Sequence, residues 1–290
     1  MQTHFRHVAL VGKYNSPNSQ ELLASIAEFL TKNNIRVSID RQSALDAGLE
    51  EKFPCLEIAE IGEQCDLLVV AGGDGTMLRI ARKMAKFNIP LVGINQGRLG
   101  FITDIPPDVH QEALMQILSG SYKEDTRSMI DGQVWRDDSL TYSAQALNEV
   151  VINRVSTEGM VDVSVEVDQT FVANLRADGV MIATPTGSTA YALSAGGPIL
   201  YPGIKGWILV PIAAHTLSNR PIVLPDDGVV TLKVASDYKS SVSFDSQSYA
   251  GLVREDRVVL KAAEQQVRFL HPAEWSFYKT LRKKLRWYAE

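Results

Sequence analysis

The feature that most constrains the fold of this chain is a glycine-rich hexapeptide between an apolar run and an amphipathic segment. Residues 71–76 read Ala-Gly-Gly-Asp-Gly-Thr and follow the run Asp-Leu-Leu-Val-Val at 66–70. Such a run is typical of a short buried strand. The apolar residues after the hexapeptide share one helical face: Met77, Leu78, Ala81, Met84 and Ala85. The pattern predicts a strand, a tight turn and a helix, an arrangement in which backbone N–H groups can meet a phosphate.

Asp74 is the unexpected residue of this turn. Gly72, Gly73 and Gly75 let the backbone approach a ligand closely, but a carboxylate is repelled by a phosphate. Asp74 therefore indicates a second task, either holding a metal or deprotonating a hydroxyl group. The alternative is that Asp74-Gly75 is an ordinary turn. The segment lacks the Lys-Ser/Thr pair that ends a P-loop, which argues against a P-loop NTPase. It also lacks the G-x-G-x-x-G spacing, which argues against a conventional NAD-dependent dehydrogenase.

Composition excludes several other classes of protein. The chain has 290 residues, 45% of them hydrophobic, with a net charge of −5, so we expect one large or two medium domains and no nucleic-acid binding. The N-terminus lacks the apolar core of a signal peptide, and no stretch approaches the ~20 apolar residues of a membrane span. Cys55 and Cys65 form no metal-binding pattern and fit a reducing compartment. We therefore expect a cytoplasmic protein without membrane contact.

The order of apolar runs predicts two domains and a terminal helix. Strand and helix alternate up to about residue 118, which predicts an α/β nucleotide-binding domain with a parallel sheet over 1–125. A β-rich domain is expected over 126–270, and a helical segment over 271–290. The strands predicted in the second domain are 145–152, 161–167, 180–183, 207–212, 229–234, 241–244, 257–261 and 267–270.

A second polar segment, 184–198, follows the apolar run 180–183. Its hydroxyl side chains precede a short helical stretch and can hold a ribose, an adenine edge or a phosphate; these are Thr184, Thr186, Ser188 and Thr189. The alternative is a Ser/Thr-rich loop with a helix cap. Two polar pairs, Asn148-Glu149 and Asp178-Gly179, adjoin apolar runs. Each pair by itself is weak evidence for a binding site.

Together these segments resemble the NAD kinase family. The motifs occur in the order Gly72–Gly75, Gly97–Phe101, Asn148-Glu149, Asp178-Gly179, Thr184–Gly197 and Pro211–Pro221. The resemblance spans about residues 8–271. It implies transfer of the γ-phosphoryl group of ATP to the 2′-hydroxyl of the adenosine ribose of NAD, giving NADP. It also implies a two-domain fold whose terminal segment packs back on the N-terminal domain.

The resemblance implies a role for each matching residue. Asp74 would be the general base, because a ribose hydroxyl is a poor nucleophile until it loses its proton. Gly72, Gly73 and Gly75 would cradle the triphosphate, and Phe101 would pack on adenine. The remaining nucleotide-binding set is Asn148 and Glu149 at the adenosine ribose; Thr186, Thr189, Ala190, Tyr191, Ala192, Leu193 and Ser194 around the adenine; and Asp178, Ala213 and Gln247 towards the nicotinamide.

The implied cofactor is Mg²⁺ held mainly by the phosphates, without a protein metal site, and the implied assembly is a homodimer or homotetramer. Arg176 is expected to hold the Asp178 carboxylate and so to favour NAD over NADH. Many relatives have His where this chain has Gly159, so a contact made there is in doubt. The alternatives are a lipid kinase that shares the Gly-Gly-Asp-Gly turn and a non-catalytic dinucleotide sensor.

Overall fold

The computed structural model describes residues 4–14, 18–97, 100–155 and 159–287. The chain forms two compact units, the first of residues 1–126 with 266–290 and the second of residues 127–265. Within the motif Gly97–Phe101, Arg98 and Leu99 lie outside the described residues, as does Tyr288 at the end of the expected terminal helix.

The helices are α1 (Asn18–Lys32), α2 (Arg41–Ala47), α3 (Ile58–Gln64), α4 (Asp74–Met84), α5 (His110–Leu118), α6 (Tyr191–Ser194) and α7 (Phe277–Leu285). The strands are β1 (His7–Gly12), β2 (Arg36–Asp40), β3 (Cys55–Leu56), β4 (Leu67–Ala71), β5 (Leu91–Ile94), β6 (Tyr122–Arg127), β7 (Ile130–Arg136), β8 (Ser139–Ala146), β9 (Glu149–Arg154), β10 (Val161–Val167), β11 (Thr170–Ala177), β12 (Gly179–Ala183), β13 (Trp207–Ile212), β14 (Ile222–Leu224), β15 (Val230–Val234), β16 (Ser240–Phe244), β17 (Ser248–Leu252), β18 (Arg257–Ala262) and β19 (Val267–Pro272). No helix in the described ranges is long and apolar enough to cross a membrane.

The first unit is built on a seven-stranded sheet with the order β3-β2-β1-β4-β5-β19-β6. The pairs from β3 to β19 are parallel. All residues of β1, β4 and β5 are buried, which is why each strand is an unbroken apolar run in the sequence. Gly12 pairs with Ala71, so the chain leaves β1 and β4 side by side at one edge of the sheet, where ligands of such sheets bind.

The last strand of the chain belongs to this first sheet. The sequence assigned residues up to 270 to the β-rich domain, but Phe269 of β19 pairs in parallel with Leu91 of β5, and the first unit resumes at Gln266. Short apolar runs carry no information about their pairing partner. The terminal helix α7 follows β19 in the same unit.

The second unit contains two antiparallel sheets, with the orders β11-β10-β15-β18-β7-β8 and β14-β13-β12-β9-β16-β17. One core is shared by both sheets and includes Trp207 and Phe244, which are fully buried. The expected architecture, an α/β domain with a parallel sheet and a β-rich domain, is therefore confirmed.

The strand predicted over 145–152 is two strands in two different sheets. β8 ends at Ala146 in one sheet, and β9 begins at Glu149 in the other. The two residues between them leave the ladder because their backbone groups bond elsewhere: Leu147 N donates to Asp245 and Leu147 O accepts from the Thr184 hydroxyl. The bend places Asn148 and Glu149 at the start of β9.

Candidate active site

The glycine-rich turn joins β4 to α4 as the sequence predicts. Gly73 is the N-cap residue of α4, and Asp74 is the first residue of the helix. A Cβ atom added at Gly73 or Gly75 would meet no described atom within 4 Å, whereas one at Gly72 would lie 3.0 Å from the Thr76 side chain. Gly73 and Gly75 therefore leave open space in front of the first helical turn, the positive end of the helix dipole.

The Asp74 carboxylate is held by the loop at 100–103. Oδ1 accepts hydrogen bonds from Ile102 N (3.2 Å), Thr103 N (3.0 Å) and the Thr103 hydroxyl (3.0 Å). Oδ2 accepts one from Phe101 N at 2.7 Å. A Cβ atom at Gly100 would lie 2.0 Å from Asp74 Oδ1, so only glycine allows the loop to approach the carboxylate this closely.

The two carboxylate oxygens of Asp74 are therefore not equivalent. Oδ1 is surrounded by three donors, while Oδ2 has a single donor among the described residues. A carboxylate oxygen offers about two lone-pair sites, so Oδ2 retains one for a further donor. The geometry fits a carboxylate that receives a hydrogen bond, and then a proton, from a substrate hydroxyl group.

A cavity of about 460 Å³ opens beside this turn and contains cationic residues that the sequence analysis did not single out. It is lined by Lys13, Tyr14, Gly73, Gly75, Thr76 and Arg79. The Arg79 guanidinium lies 3.8 Å from the centroid of the Tyr14 ring, and the Tyr14 hydroxyl donates to Asp40 at 3.1 Å. Lys13 follows β1, and the end of β1 lies beside the end of β4. A prediction that these two strands are neighbours would have placed Lys13 near the glycine-rich turn.

Phe101 is half-buried, and the C-terminal helix covers it in part. Lys284 Nζ of α7 lies 5.2 Å from the Phe101 ring centroid. Three residues further along, Asp104 Oδ1 lies 3.1 Å from His271 Nδ1. The loop that holds Asp74 thus contacts the terminal segment of the chain on its other side.

Asn148 and Glu149 are buried with unsatisfied side-chain atoms. They are 8% and 4% exposed, and Asn148 Oδ1 and Glu149 Oε2 have no hydrogen-bond partner among the described residues. Burial, and secondarily the charge of Asp245, raise the pKa of Glu149 to about 8. Buried polar atoms without partners are rare in folded proteins, so this pair is suited to a polar ligand.

The segment after β12 forms a 3₁₀ turn at Gly187–Thr189 followed by α6. Thr186 is buried, and its hydroxyl accepts a hydrogen bond from Arg127 at 3.1 Å. Ala192 is fully buried within an apolar cluster of its own unit, so its side chain is not accessible to a nucleotide. The other predicted residues are at least partly accessible: Thr189, Ala190, Tyr191, Leu193 and Ser194.

The expectation that Arg176 holds Asp178 is wrong. Arg154 Nε lies 2.7 Å from Asp178 Oδ1, whereas Arg176 Nε lies 3.8 Å from Asp162 Oδ1. The strand registers explain both contacts, because Asn153 pairs with Gly179 and Asp162 pairs with Arg176. Asp178 is therefore already paired with a cation, and the Arg176 side chain is mostly exposed.

Three further positions bear on the nicotinamide side of the predicted site. Ala213 is exposed and has a φ of 47°, an uncommon backbone conformation for alanine. Gln247 is also exposed. Gly159 has a φ of 77°, and a Cβ atom there would lie 2.4 Å from the Tyr238 ring, so a histidine does not fit at this position of this chain.

Each unit thus contains some of the predicted site residues. The first unit brings Gly72, Gly73, Asp74, Gly75 and Phe101 together, through the contact between the 100–103 loop and α4. The second unit brings the residues around Asn148 to those around Thr186, since Thr184 N donates to Asn148 O at 2.8 Å.

Comparison with known protein families shows which family this chain belongs to. The model of the ATP-NAD kinase N-terminal domain matches residues 8–122, and that of the ATP-NAD kinase C-terminal domain matches residues 147–272. The chain belongs to the ATP-NAD kinase family. This membership confirms the expected enzyme class and favours it over a lipid kinase or a non-catalytic sensor.

Individual relatives agree with the family models. The NAD kinase of Polaromonas sp. is 55% identical over 287 residues, covering 99% of this chain and 98% of the relative. An NAD kinase from Archaeoglobus fulgidus, solved in complex with ATP, has a TM-score of 0.75 at 26% identity and covers 98% of this chain and 100% of its own. A yeast NADH kinase solved with NADH has a TM-score of 0.90 at 23% identity and covers 98% and 89%, respectively; this likeness shows the fold alone.

Proposed function

We propose that Asp74 is the general base of this kinase in the ATP-dependent phosphorylation of NAD to NADP. The observation that carries the proposal is the unequal occupancy of the carboxylate, which receives from the described residues three donors on Oδ1 and one on Oδ2. Oδ2 accepts the proton of the ribose 2′-hydroxyl as the new P–O bond forms. The 100–103 loop holds the carboxylate in place, so little reorganisation is needed during the reaction.

The phosphoryl donor is proposed to lie against the first turn of α4. The open space at Gly73 and Gly75 leaves room for phosphate oxygens, and Lys13 and Arg79 line the same cavity with positive charge. The 2′-oxygen attacks the γ-phosphorus of ATP, and the bond from that phosphorus to the bridging oxygen breaks. ADP leaves with the electron pair, and the hydroxyl proton is on Asp74.

The adenosine ribose region of NAD is proposed to meet Asn148 and Glu149. Asn148 Oδ1 can accept a hydrogen bond from a ribose hydroxyl. Glu149 with a pKa of about 8 carries a proton at neutral pH, so its carboxyl group can donate as well as accept. The lack of a hydrogen-bond partner for Asn148 Oδ1 and Glu149 Oε2 among the described residues supports this assignment.

The remaining assignments follow the family resemblance. Around the adenine we propose contacts from Thr186, Thr189, Ala190, Tyr191, Leu193 and Ser194, with Ala192 supporting them from the core. Phe101 packs on adenine, and Asp178, Ala213 and Gln247 lie towards the nicotinamide. Arg176 is proposed to act only through Asp162, since the carboxylate of Asp178 is held by Arg154.

A divalent cation, with Mg²⁺ expected, is proposed to be carried by the phosphates. No group of three or more His, Cys, Asp or Glu side chains within the described ranges is placed to hold a metal ion, and Asp74 Oδ1 is already occupied by N–H and O–H donors. When bound, the cation would neutralise charge on the transferred phosphoryl group. We also propose that the protein forms a homodimer or homotetramer and acts in the cytoplasm.

The test is direct. Purified protein with NAD, ATP and Mg²⁺ should produce NADP, measured with an NADP-specific dehydrogenase, and excess chelator should stop the reaction. Absence of NADP with ATP and with polyphosphate would contradict the proposed reaction, whereas full turnover in chelator would contradict only the metal requirement. Light scattering of the same sample checks the oligomeric state.

A further inference from the structure

We propose that Asp245 is a positioning residue of this kinase, which fixes the bend at 147–149 and thereby the orientation of Asn148 and Glu149 towards the ribose. The inference rests on the proposed roles of Asn148 and Glu149. Asp245 lies in the turn between β16 and β17 and is 5% exposed. It has no place in the predicted or proposed contacts with substrate.

The Asp245 carboxylate binds three consecutive backbone N–H groups. Oδ2 accepts from Leu147 N at 2.9 Å, and Oδ1 accepts from Asn148 N at 2.7 Å and Glu149 N at 3.1 Å. The Asp245 N–H in turn donates to Glu149 O at 3.0 Å. These bonds form where the chain passes from β8 in one sheet to β9 in the other, so the carboxylate replaces the ladder partners that the bend removes.

Hydrogen bonds from Thr184 hold the opposite side of the same bend. Thr184 donates its hydroxyl to Leu147 O at 2.6 Å and its N–H to Asn148 O at 2.8 Å. A Cβ atom at Gly187 would lie 2.2 Å from Asn148 O. The backbone of the bend is thus held from two sides, while Asn148 Oδ1 and Glu149 Oε2 receive no hydrogen bond from the described residues. The protein fixes the backbone and leaves these two atoms available to a ligand.

Asp245 also acts on Glu149 through its charge. At this end of β9 the neighbouring strand β12 presents Ala183 opposite Glu149, and the β16–β17 turn presents the carboxylate of Asp245. Burial is the larger cause of the raised pKa of Glu149, and the charge of Asp245 is the second. A neutral residue at 245 would therefore lower the pKa of Glu149, a change that loss of structural support alone would not produce.

The Asp245→Asn variant tests the proposal. Its amide oxygen can keep the bonds to Asn148 N and Glu149 N, but its NH₂ group faces Leu147 N and the negative charge is lost. We expect the KM for NAD to rise by about tenfold or more, with a smaller change in the KM for ATP, because the ribose-binding pair is misplaced. We assign the fall of kcat/KM for NAD at alkaline pH to the loss of the Glu149 proton. In D245N this fall should occur at lower pH.

The matched control is Asp168→Asn. Asp168 also lies in a hairpin turn at positive φ, 49° against 51° for Asp245, and its Oδ1 accepts Val229 N at 2.8 Å. This variant removes the charge of a turn carboxylate that accepts a backbone N–H elsewhere in the second unit, so it should change neither KM nor the pH profile, whatever its effect on Tm.

Thr184→Val provides a second variant if D245N does not fold. It loosens the same bend without a change in charge, so the KM for NAD should rise while the pH profile stays in place. A wild-type KM and pH profile in D245N, or an unchanged KM in T184V when D245N cannot be purified, would overturn the inference. Failure of the unaltered protein to make NADP would instead overturn the proposed function.

Discussion

The Thr103 hydroxyl donates to Asp74 Oδ1 at 3.0 Å, and the Thr103 N–H donates to the same oxygen at the same distance. Asn95 Nδ2 in turn donates to Thr103 O at 3.2 Å. The proposed general base is thereby tied to the residues that follow β5, and the orientation of its second oxygen depends on a loop about thirty residues away along the chain.

Asp74→Asn should lower kcat by about 10²–10⁴-fold, equivalent to about 3–5 kcal/mol of barrier, because the amide cannot take a proton. The KM for NAD should change far less. Asp66→Asn is the control, since Asp66 also accepts two backbone N–H groups, those of Arg6 and His7, outside the glycine-rich turn. A drop in kcat of less than about tenfold in D74N would exclude general-base catalysis by this residue.

Gly100→Ala should disable the enzyme although it replaces no proposed reacting residue. The added methyl carbon would lie 2.0 Å from Asp74 Oδ1 and 2.4 Å from the Thr103 hydroxyl, so either the loop or the carboxylate must move. We expect kcat to fall by about 10²-fold, as for a misplaced catalytic group. Gly251→Ala, where a Cβ atom meets no described atom within 4 Å, should retain activity. Equal activity of the two variants would show that the loop adapts.

Arg79→Met should raise the KM for ATP by about tenfold, since it removes a charge-assisted contact worth about 1.5 kcal/mol to a phosphate. The methionine keeps an apolar stem beside Tyr14. Lys83→Met, which removes a charge from the same helix but does not line the cavity, is the control. If both variants change the KM for ATP equally, the effect is one of general charge and not of the cavity.

Arg154→Met should increase the preference for NAD over NADH. The oxidised nicotinamide ring is cationic, and removal of Arg154 leaves the Asp178 carboxylate without the partner that now lies 2.7 Å away. For a partly exposed pair we expect a change of about 1 kcal/mol or less, up to about fivefold in the ratio of kcat/KM values. Asp178→Asn should shift the ratio in the opposite direction. A ratio that is unchanged in both variants would place Asp178 away from the ring.

The buried His271 should make the stability of the first unit depend on pH. Its ring stacks on Trp275 at 4.1 Å between centroids and lies near Asp104 and Asp125. Burial opposes the charged form, but the hydrogen bond to Asp104 and the nearby carboxylate of Asp125 outweigh it and raise the pKa of His271 above 6.5. Protonation of His271 therefore stabilises the folded protein.

Because the pKa is raised in the folded state, this contribution is fully present below pH 6.5 and is lost as the pH rises through the folded-state pKa. Denaturant unfolding of the wild type and of His271→Asn across pH 5–9 measures the difference, which should be largest at the acidic end of that range (about pH 5). A difference that does not vary with pH would show that folding leaves the pKa of His271 unchanged, and a difference that grows as the pH rises would show that folding lowers it.

Residue patterns along the chain predicted the longer local elements and their order. An unbroken apolar run identified β4, because a strand buried on both faces needs no polar residues. The Gly-Gly-Asp-Gly turn placed Asp74 at the start of α4, because glycine and helix-start chemistry act over a few residues. The short elements α2 and α3 escaped notice, since seven residues show too little periodicity to distinguish a helix from a loop.

Only the tertiary structure decided which distant residues meet. It placed β19 in the first sheet, gave Asp178 to Arg154 and not to Arg176, and brought Asp245 to the bend before β9. It also set the 100–103 loop against Asp74 and left Oδ2 with a single donor from the part of the chain that the structure describes. Such contacts follow from strand register and sheet order, which depend on the packing of the whole chain, whereas residue patterns encode only local conformation.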